Sequence, residues 1–480
     1  MKRFTAFVLL VLGVALAAVS CKKEEETGKL SFDVPAVYMQ PGQTVQVGFS
    51  ATDIRSYSIT ARPTGWDTEN FTVDGEAHQV TIVAPMEFED TENSDSDAVR
   101  SGSLTLSGTS NSGKSIAVTL FISVSGTVDM SAEPANSYLV HRKETNYLFD
   151  ALHKGDGRSA LQTASVDIVW QSKTNLIQYL SLENGKVSFY VGADDDDDTV
   201  IKKGNALIGA YDAAGKLIWS WHVWAADYDP DAEGATVSFN GYTMMDRNLG
   251  ALANGNASTD EILASYGLYY QWGRKDPFIG PSTYQASNGS SATMYNARSG
   301  TVKIEIVESS AETGTTEYAA QHPLEYITGV KESGYDWMWR SDNTLWGDTK
   351  TVNDPCPYGW KVAPAKAFGG LTIVGSPVAE DYDKYGWTLS SGAAESFFIG
   401  AGRRRYDNAT ILNIYMPATR NVATEAQPWV GLYWSSDAGS SASSPALYFW
   451  FEKATTGSGI EYDVPYTRAN GMQVRCVRDE

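Results

Sequence analysis

The chain is poor in the residues that do most chemistry. Five histidines are spread over 480 residues, which leaves few sources for a general base or an imidazole metal ligand. Cysteine occurs three times, at Cys21, Cys356 and Cys476, and none has a second cysteine or a histidine at the spacing of a zinc site. Basic residues are outnumbered, 37 against 58 acidic ones, for a formal charge of −21. That balance argues against nucleic acid as a partner, because a phosphate footprint needs a clustered basic face. The one dense basic group, Arg403-Arg404-Arg405, reads as a loop or strand edge. No Gly-x-Ser-x-Gly elbow and no glycine-rich phosphate loop after a strand is present, and nothing calls for a cofactor. What is abundant is β-forming: 14 Trp and 26 Tyr, with Gly and Ser punctuating the chain every few residues.

The single long apolar run follows Lys2 and Arg3 and covers residues 4–19, too short for a spanning helix of about 20 residues. With small residues at Ala17, Ala18 and Ser20 it reads as a signal peptide over residues 1–20. The stretch Ala17-Ala18-Val19-Ser20-Cys21 resembles a bacterial lipobox, which implies acylation of Cys21 and cleavage just before it. Next comes Lys22-Lys23-Glu24-Glu25-Glu26, similar to the export signal that sends Bacteroidetes lipoproteins to the outer face of the outer membrane. The plainer reading of residues 21–28 is a solvated, lipidated tether. The outer membrane, reached through the lipid anchor, is thus an expected partner. With Cys21 lipidated, two thiols remain. An oxidising destination reads Cys356 and Cys476 as one disulfide, although spacing alone does not bring them together.

Residues 29–127 show short alternating runs bounded by turn residues: 30–34, 44–50, 57–61, 79–84, 102–108 and 116–126. This is the signature of an immunoglobulin-like β-sandwich. The acidic, apolar-poor stretch 87–97 is expected as an exposed loop. A second β-sandwich is expected over residues 128–232. In its last strand Leu217, Trp219, Trp221 and Val223 share one face, and Ile218, Ser220, His222 and Trp224 the other. Both faces are largely apolar, which predicts a central strand covered on each side, with its tryptophans structural and His222 packed. The run from Asp194 to Asp198 fails the calcium-loop pattern, since Thr199 stands where that loop needs glycine. It reads as a solvated loop with no metal.

Residues 235–480 hold nine of the 14 Trp and dense turn punctuation. Short helices are expected near residues 260–266 and 364–368. The blocks MMDRNLGA (244–251), YGLYYQWGRKDPF (266–278), WGDTKTVNDPCPYGWKVA (346–363), GLYWSSD (431–437), ALYFWF (446–451) and GMQVRCVRD (471–479) closely resemble the major paralogous (FISUMP) domain named from Fibrobacter succinogenes. The resemblance implies a C-type-lectin-like fold, distantly related to the sulfatase-modifying, formylglycine-generating enzymes. The segment WSWHVWAADYDP (219–230) is similar to one that precedes this domain in surface lipoproteins of gut Bacteroidetes, some fimbrillin-like or at pilus tips.

The expected fold is therefore mainly β: two sandwiches, then a larger, loop-rich, C-type-lectin-like α+β domain. Asp246, Asp354 and Asp437, with Arg247, Arg274 and Arg475, are candidates either for buried polar anchors or for a ligand site, beside Trp272 and Trp434. The expected function is a non-enzymatic surface lipoprotein that adheres or binds, with glycan or a host surface protein as partner. The alternative is an enzyme or assembly factor of the formylglycine-generating type. Those enzymes need an active-site cysteine pair, whereas here only Cys476 lies in the terminal region, so the number of free thiols discriminates.

Overall fold

The computed structural model describes residues 28–91, 94–283, 290–412, 429–452 and 455–480. The signal peptide, Cys21 and the run from Lys22 to Glu26 lie outside the described residues. The chain is mainly β and divides into two compact units, one reaching Ile122 and the other running from Ser123 to Glu480.

The first unit is a β-sandwich. Its strands are β1 (Lys29–Phe32), β2 (Ala36–Tyr38), β3 (Thr44–Thr52), β4 (Ile54–Ala61), β5 (Phe71–Asp74), β6 (Gln79–Val83), β7 (Ser101–Ser110) and β8 (Ser115–Ser123). They form two four-stranded sheets, ordered β1-β3-β6-β5 and β2-β8-β7-β4. Period-two alternation sends Val47 and Phe49 of β3, Val80 and Ile82 of β6, and Leu104 and Leu106 of β7 into the interior. Across the gap Phe49 meets the Tyr57 ring of β4 at 5.0 Å. Each of the six runs expected from alternation falls on a strand. β2 and β5, only three and four residues long, were too short to show a period. The described residues of the stretch 87–97 carry no strand, as their acidity predicts, but Phe88 turns inward and is buried.

In the second unit, strands β9 (Thr127–Asp129), β11 (Thr145–Asp150), β13 (Gln178–Glu183) and β14 (Lys186–Val191) make a sheet in the order β13-β14-β11-β9. Strands β10 (Ser137–Val140), β12 (Ser165–Gln171), β15 (Gly204–Tyr211) and β16 (Leu217–Ala225) make another, ordered β10-β16-β15-β12. Phe149 of β11 packs on Trp221 of β16 with ring centroids 5.2 Å apart, closing a core between the sheets. The second sheet does not stop at β12. It continues through the short strands Met294–Tyr295 and Thr301–Val302, with Gln171 registered against Tyr295.

β16 lies between β10 and β15 and is buried along most of its length, as its two apolar faces predict. Trp219, Trp221 and Val223 belong to the sandwich core, whereas Trp224 joins a different core built around Trp272, Trp337, Trp346 and Trp434. One strand thus serves two cores, and residues on both sides of positions 232–235 share a single compact unit.

Beyond β16 the strands are short and the loops long. Trp429–Trp434, Ser443–Glu452 and Gly457–Thr467 form an antiparallel sheet. Thr236–Phe239, Tyr242–Met245, Cys476–Arg478 and Trp360–Val362 form another. The two short helices expected from sequence are present at Thr259–Ser265, capped by Ser258, and as a 3-10 turn at Ala365–Phe368. A third, Thr316–Gln321, was not anticipated. Among the described residues no helix is long and apolar enough to cross a membrane.

Candidate functional site

Within the second unit a groove of about 420 Å³ opens where β9, β10, the loop after β16, the turn at 357–360 and the carboxyl-terminal strand meet. The turn is shaped by its sequence. The Trp360 amide donates to the Pro357 carbonyl at 3.1 Å, and Gly359 sits at φ 75°, the left-handed value that this turn position requires. Tyr358, between the proline and the glycine, is pushed outward and stays 53% exposed in the groove. Trp360 is buried beside it, and the Arg478 guanidinium lies 4.2 Å over its ring while pairing with Asp231.

Three further devices hold the turn in place. The disulfide Cys356–Cys476 joins it to the last strand with Cα atoms 6.0 Å apart. The buried Asp354 carboxylate accepts from the amides of Cys356 at 2.9 Å and Val362 at 3.0 Å. Lys350 Nζ donates to that carboxylate at 3.0 Å and to the carbonyls of Cys356 and Trp360 at 2.7 and 2.8 Å. On the opposite wall Ser137 Oγ donates to the Pro355 carbonyl at 2.6 Å. Asp129, Glu133, Asp229 and Asp231 bring carboxylates to the groove. Hydrogen bonds from Lys186 and Ser131 hold Asp129 down at a pKa of about 2, so it stays anionic. Aromatic faces beside hydrogen-bond acceptors suit a polyhydroxylated ligand better than an anion.

The residues singled out by sequence are mostly internal anchors. Trp272 and Trp434 are buried and donate their indole N–H groups to the carbonyls of Ser435 and Tyr270, at 3.0 and 2.8 Å. Arg274 is buried and ties down the end of helix Thr316–Gln321 through the carbonyls of His322 and Glu325, at 3.0 and 2.8 Å. Arg475 donates to Asn248 Oδ1 at 3.2 Å and Ser396 Oγ at 3.0 Å and lies 3.7 Å over the Phe398 ring. Asp246 pairs with its neighbour Arg247 at 2.7 Å, and Arg247 stacks 3.8 Å over Tyr228. Asp437 accepts from the Ala365 amide at 2.7 Å, at the start of the 3-10 turn. Of the eight, Asp354 is the one that directly supports the groove. Tyr358, Trp360 and Arg478 were missed as site residues, although Pro-Tyr-Gly-Trp is a turn that must expose its tyrosine.

His222 is fully buried between Ser137 Oγ and Asn205 Oδ1, each 2.9 Å away, and burial pulls its pKa down to about 3. It is a packing residue, and its burial disfavours the charged imidazolium. In the aspartate run Asp194 and Asp195 are tethered by Lys173 and Lys202 at 3.3 and 2.7 Å. Among the described residues no three His, Cys, Asp or Glu side chains converge as a metal site would require. Arg403–Arg404 is a strand but an interior one, flanked by Gly471–Met472 and Ile411–Leu412 rather than at an edge.

No family model matches the chain, and no curated protein is detectably similar to it. Solved structures give partial matches. Extracellular cadherin domains 3–6 of protocadherin gamma B2 share 16% identity over 41% of this chain, at a TM-score of 0.15, and the chain spans 52% of that structure. Tandem immunoglobulin domains of titin share 11% identity over 42% of this chain and 98% of theirs, at a TM-score of 0.16. A Bacteroides ovatus mixed-linkage glucan utilisation protein, solved with a heptasaccharide, shares 9% identity over 39% of this chain and 42% of its own, at 0.11. Scores this low say nothing about what the chain binds.

Proposed function

We propose that the chain is a lipid-anchored outer-membrane lipoprotein that binds or adheres outside the cell, and that the groove around Tyr358 takes a neutral glycan. The groove carries the reading: an exposed tyrosine on a turn locked by a disulfide, a buried aspartate and a lysine, beside carboxylates able to accept sugar hydroxyls. Rigid placement of an aromatic lowers the ordering cost of binding. The lipobox-like segment at Cys21 and the run from Lys22 to Glu26 supply the anchor and the export address. On this reading the amino-terminal sandwich is a spacer, and the lectin-like likeness of residues 235–480 accounts for the long loops. The formylglycine-type alternative needs thiols, and the pairing of Cys356 with Cys476 counts against it.

The test is a glycan array probed with the full chain and with Tyr358→Ala. Binding of neutral glycans that falls about tenfold or more in the variant supports the groove, since an aromatic anchor is worth on the order of 1.4 kcal/mol or more. Equal binding by both proteins, or none by either, removes it.

A further inference from the structure

A second cavity, of about 500 Å³, shares no lining residue with the groove and has the opposite electrical character. Its wall includes Ser291, Thr301, Lys303, Arg404, Asn408 and Thr410, with Met294 and Ile304 as apolar neighbours. In a chain with 58 acidic and 37 basic residues, the described residues of this lining include two cations and no carboxylate.

Arg404 is the key side chain. Its backbone is fixed by pairing with Ile411 on one side and Gly471 on the other. It is 3% exposed. Its guanidinium donates to the Ala409 carbonyl at 3.2 Å, to Ser291 Oγ at 2.9 Å and to the Ile279 carbonyl. Its Nε has no hydrogen-bond partner among the described residues. The other fully buried arginines, Arg274, Arg468 and Arg475, each feel a nearby carboxylate: Asp276 and Glu325, Asp336 and Asp342, and Asp246. Among the described residues the charge interactions on Arg404 come from the Tyr269 and Tyr326 hydroxyls and from no carboxylate, and burial holds its pKa down to about 10. A buried cation without a counter-charge is costly, and an anion supplied from outside would offset that cost.

The geometry points to a binding site for a sugar acid, its carboxylate between Arg404 and Lys303 and its hydroxyls against the Ser, Thr and Asn side chains of the wall. Guanidinium pairs with carboxylate through charge-assisted hydrogen bonds, and the cavity is of ordinary size for a small ligand. The inference is independent of the groove, which is acidic and would repel such a ligand.

Isothermal titration of the full chain with D-glucuronate, D-glucose and inorganic sulfate tests it. Arg404 holds three structural hydrogen bonds and its loss could unfold the wall, so the first variant is Lys303→Glu, at an exposed position. Expected are saturable binding of glucuronate, at least about tenfold weaker binding of glucose, a loss with added salt, and a further loss of about tenfold in Lys303→Glu at unchanged melting temperature. Arg404→Lys, which keeps the charge but not the planar fork, should also weaken binding. Tyr358→Ala should leave glucuronate binding intact. Equal binding of glucose and glucuronate, no binding of either, or indifference to Lys303→Glu overturns the assignment. So does sulfate that binds as tightly as the sugar acid, which would mean a simple anion hole.

Discussion

The double replacement Cys356→Ala and Cys476→Ala isolates what the disulfide contributes. It opens a loop spanning 120 residues. In the chain-entropy treatment, closing a loop of that length restricts the unfolded chain by about 4.9 kcal/mol at 25 °C. Both sulfurs are fully buried in the tryptophan-rich core, so alanine adds a small cavity term of roughly 1 kcal/mol. Alanine is preferable to serine, whose hydroxyl would be buried without a partner. The unfolding entropy of a unit running from residue 123 to 480 amounts to roughly 0.75 kcal/mol per kelvin, so the melting temperature should fall by about 6–8 °C. Scanning calorimetry of the full chain should show that shift in one transition only, because the amino-terminal sandwich contains neither cysteine. Loosening should concentrate at the turn 357–360, read as faster amide exchange there. A shift below about 2 °C would refute the reasoning, since it would leave most of the loop entropy unaccounted for. Free alkylation of both cysteines in the unreduced native protein would refute it as well.

Asp354→Ala strips Lys350 of its carboxylate and two buried amides of their acceptor. It should cost about 3–5 kcal/mol in denaturant unfolding, whereas Tyr358→Ala, at the exposed tip of the same turn, should cost within about 0.5 kcal/mol. His222 has a folded pKa of about 3, below its unfolded value of about 6.5. Its contribution is therefore complete above pH 6.5 and is lost as the pH falls toward 3. Relative to His222→Gln, the wild type should lose about 1.4 kcal/mol per pH unit in that window, and parallel curves would contradict the buried neutral imidazole. Cys21→Ala should abolish labelling by a fatty-acid analogue. Alanine in place of Lys22 to Glu26 should leave the protein membrane-bound but shielded from added protease.

Six strands of the amino-terminal sandwich were legible because their alternation is bounded by turn residues, whereas β2 and β5 were too short to show it. The central position of β16 was legible for a related reason: apolar residues at both odd and even positions can only mean cover on both faces. That its two faces feed different cores was not legible, since the partners of Trp224 lie far away in sequence, at Trp272 and beyond. Arginine offered the least warning. Arg404 sits in an exposed-looking basic triplet, yet it is the most deeply enclosed of the three, because a two-residue strand is too short to carry a pattern. Likewise the buried pair of Lys275 and Asp276, 2.5 Å apart, depends on Ser220 of β16, which accepts from the lysine and donates to the aspartate. Polar contacts between distant segments leave no local trace.

The double duty of β16 constrains how this protein can be dissected or recombined. A fragment beginning at residue 235 would lose Trp224 from its core, along with the strand that carries Ser220. A fragment ending near residue 232 would present Trp224 to water and leave β12 as an uncovered sheet edge where Met294–Tyr295 now pairs, an invitation to aggregate. Gene rearrangements that shuffle the carboxyl-terminal module should therefore carry residues 123–232 with it, so that the heritable cassette is the whole two-core block.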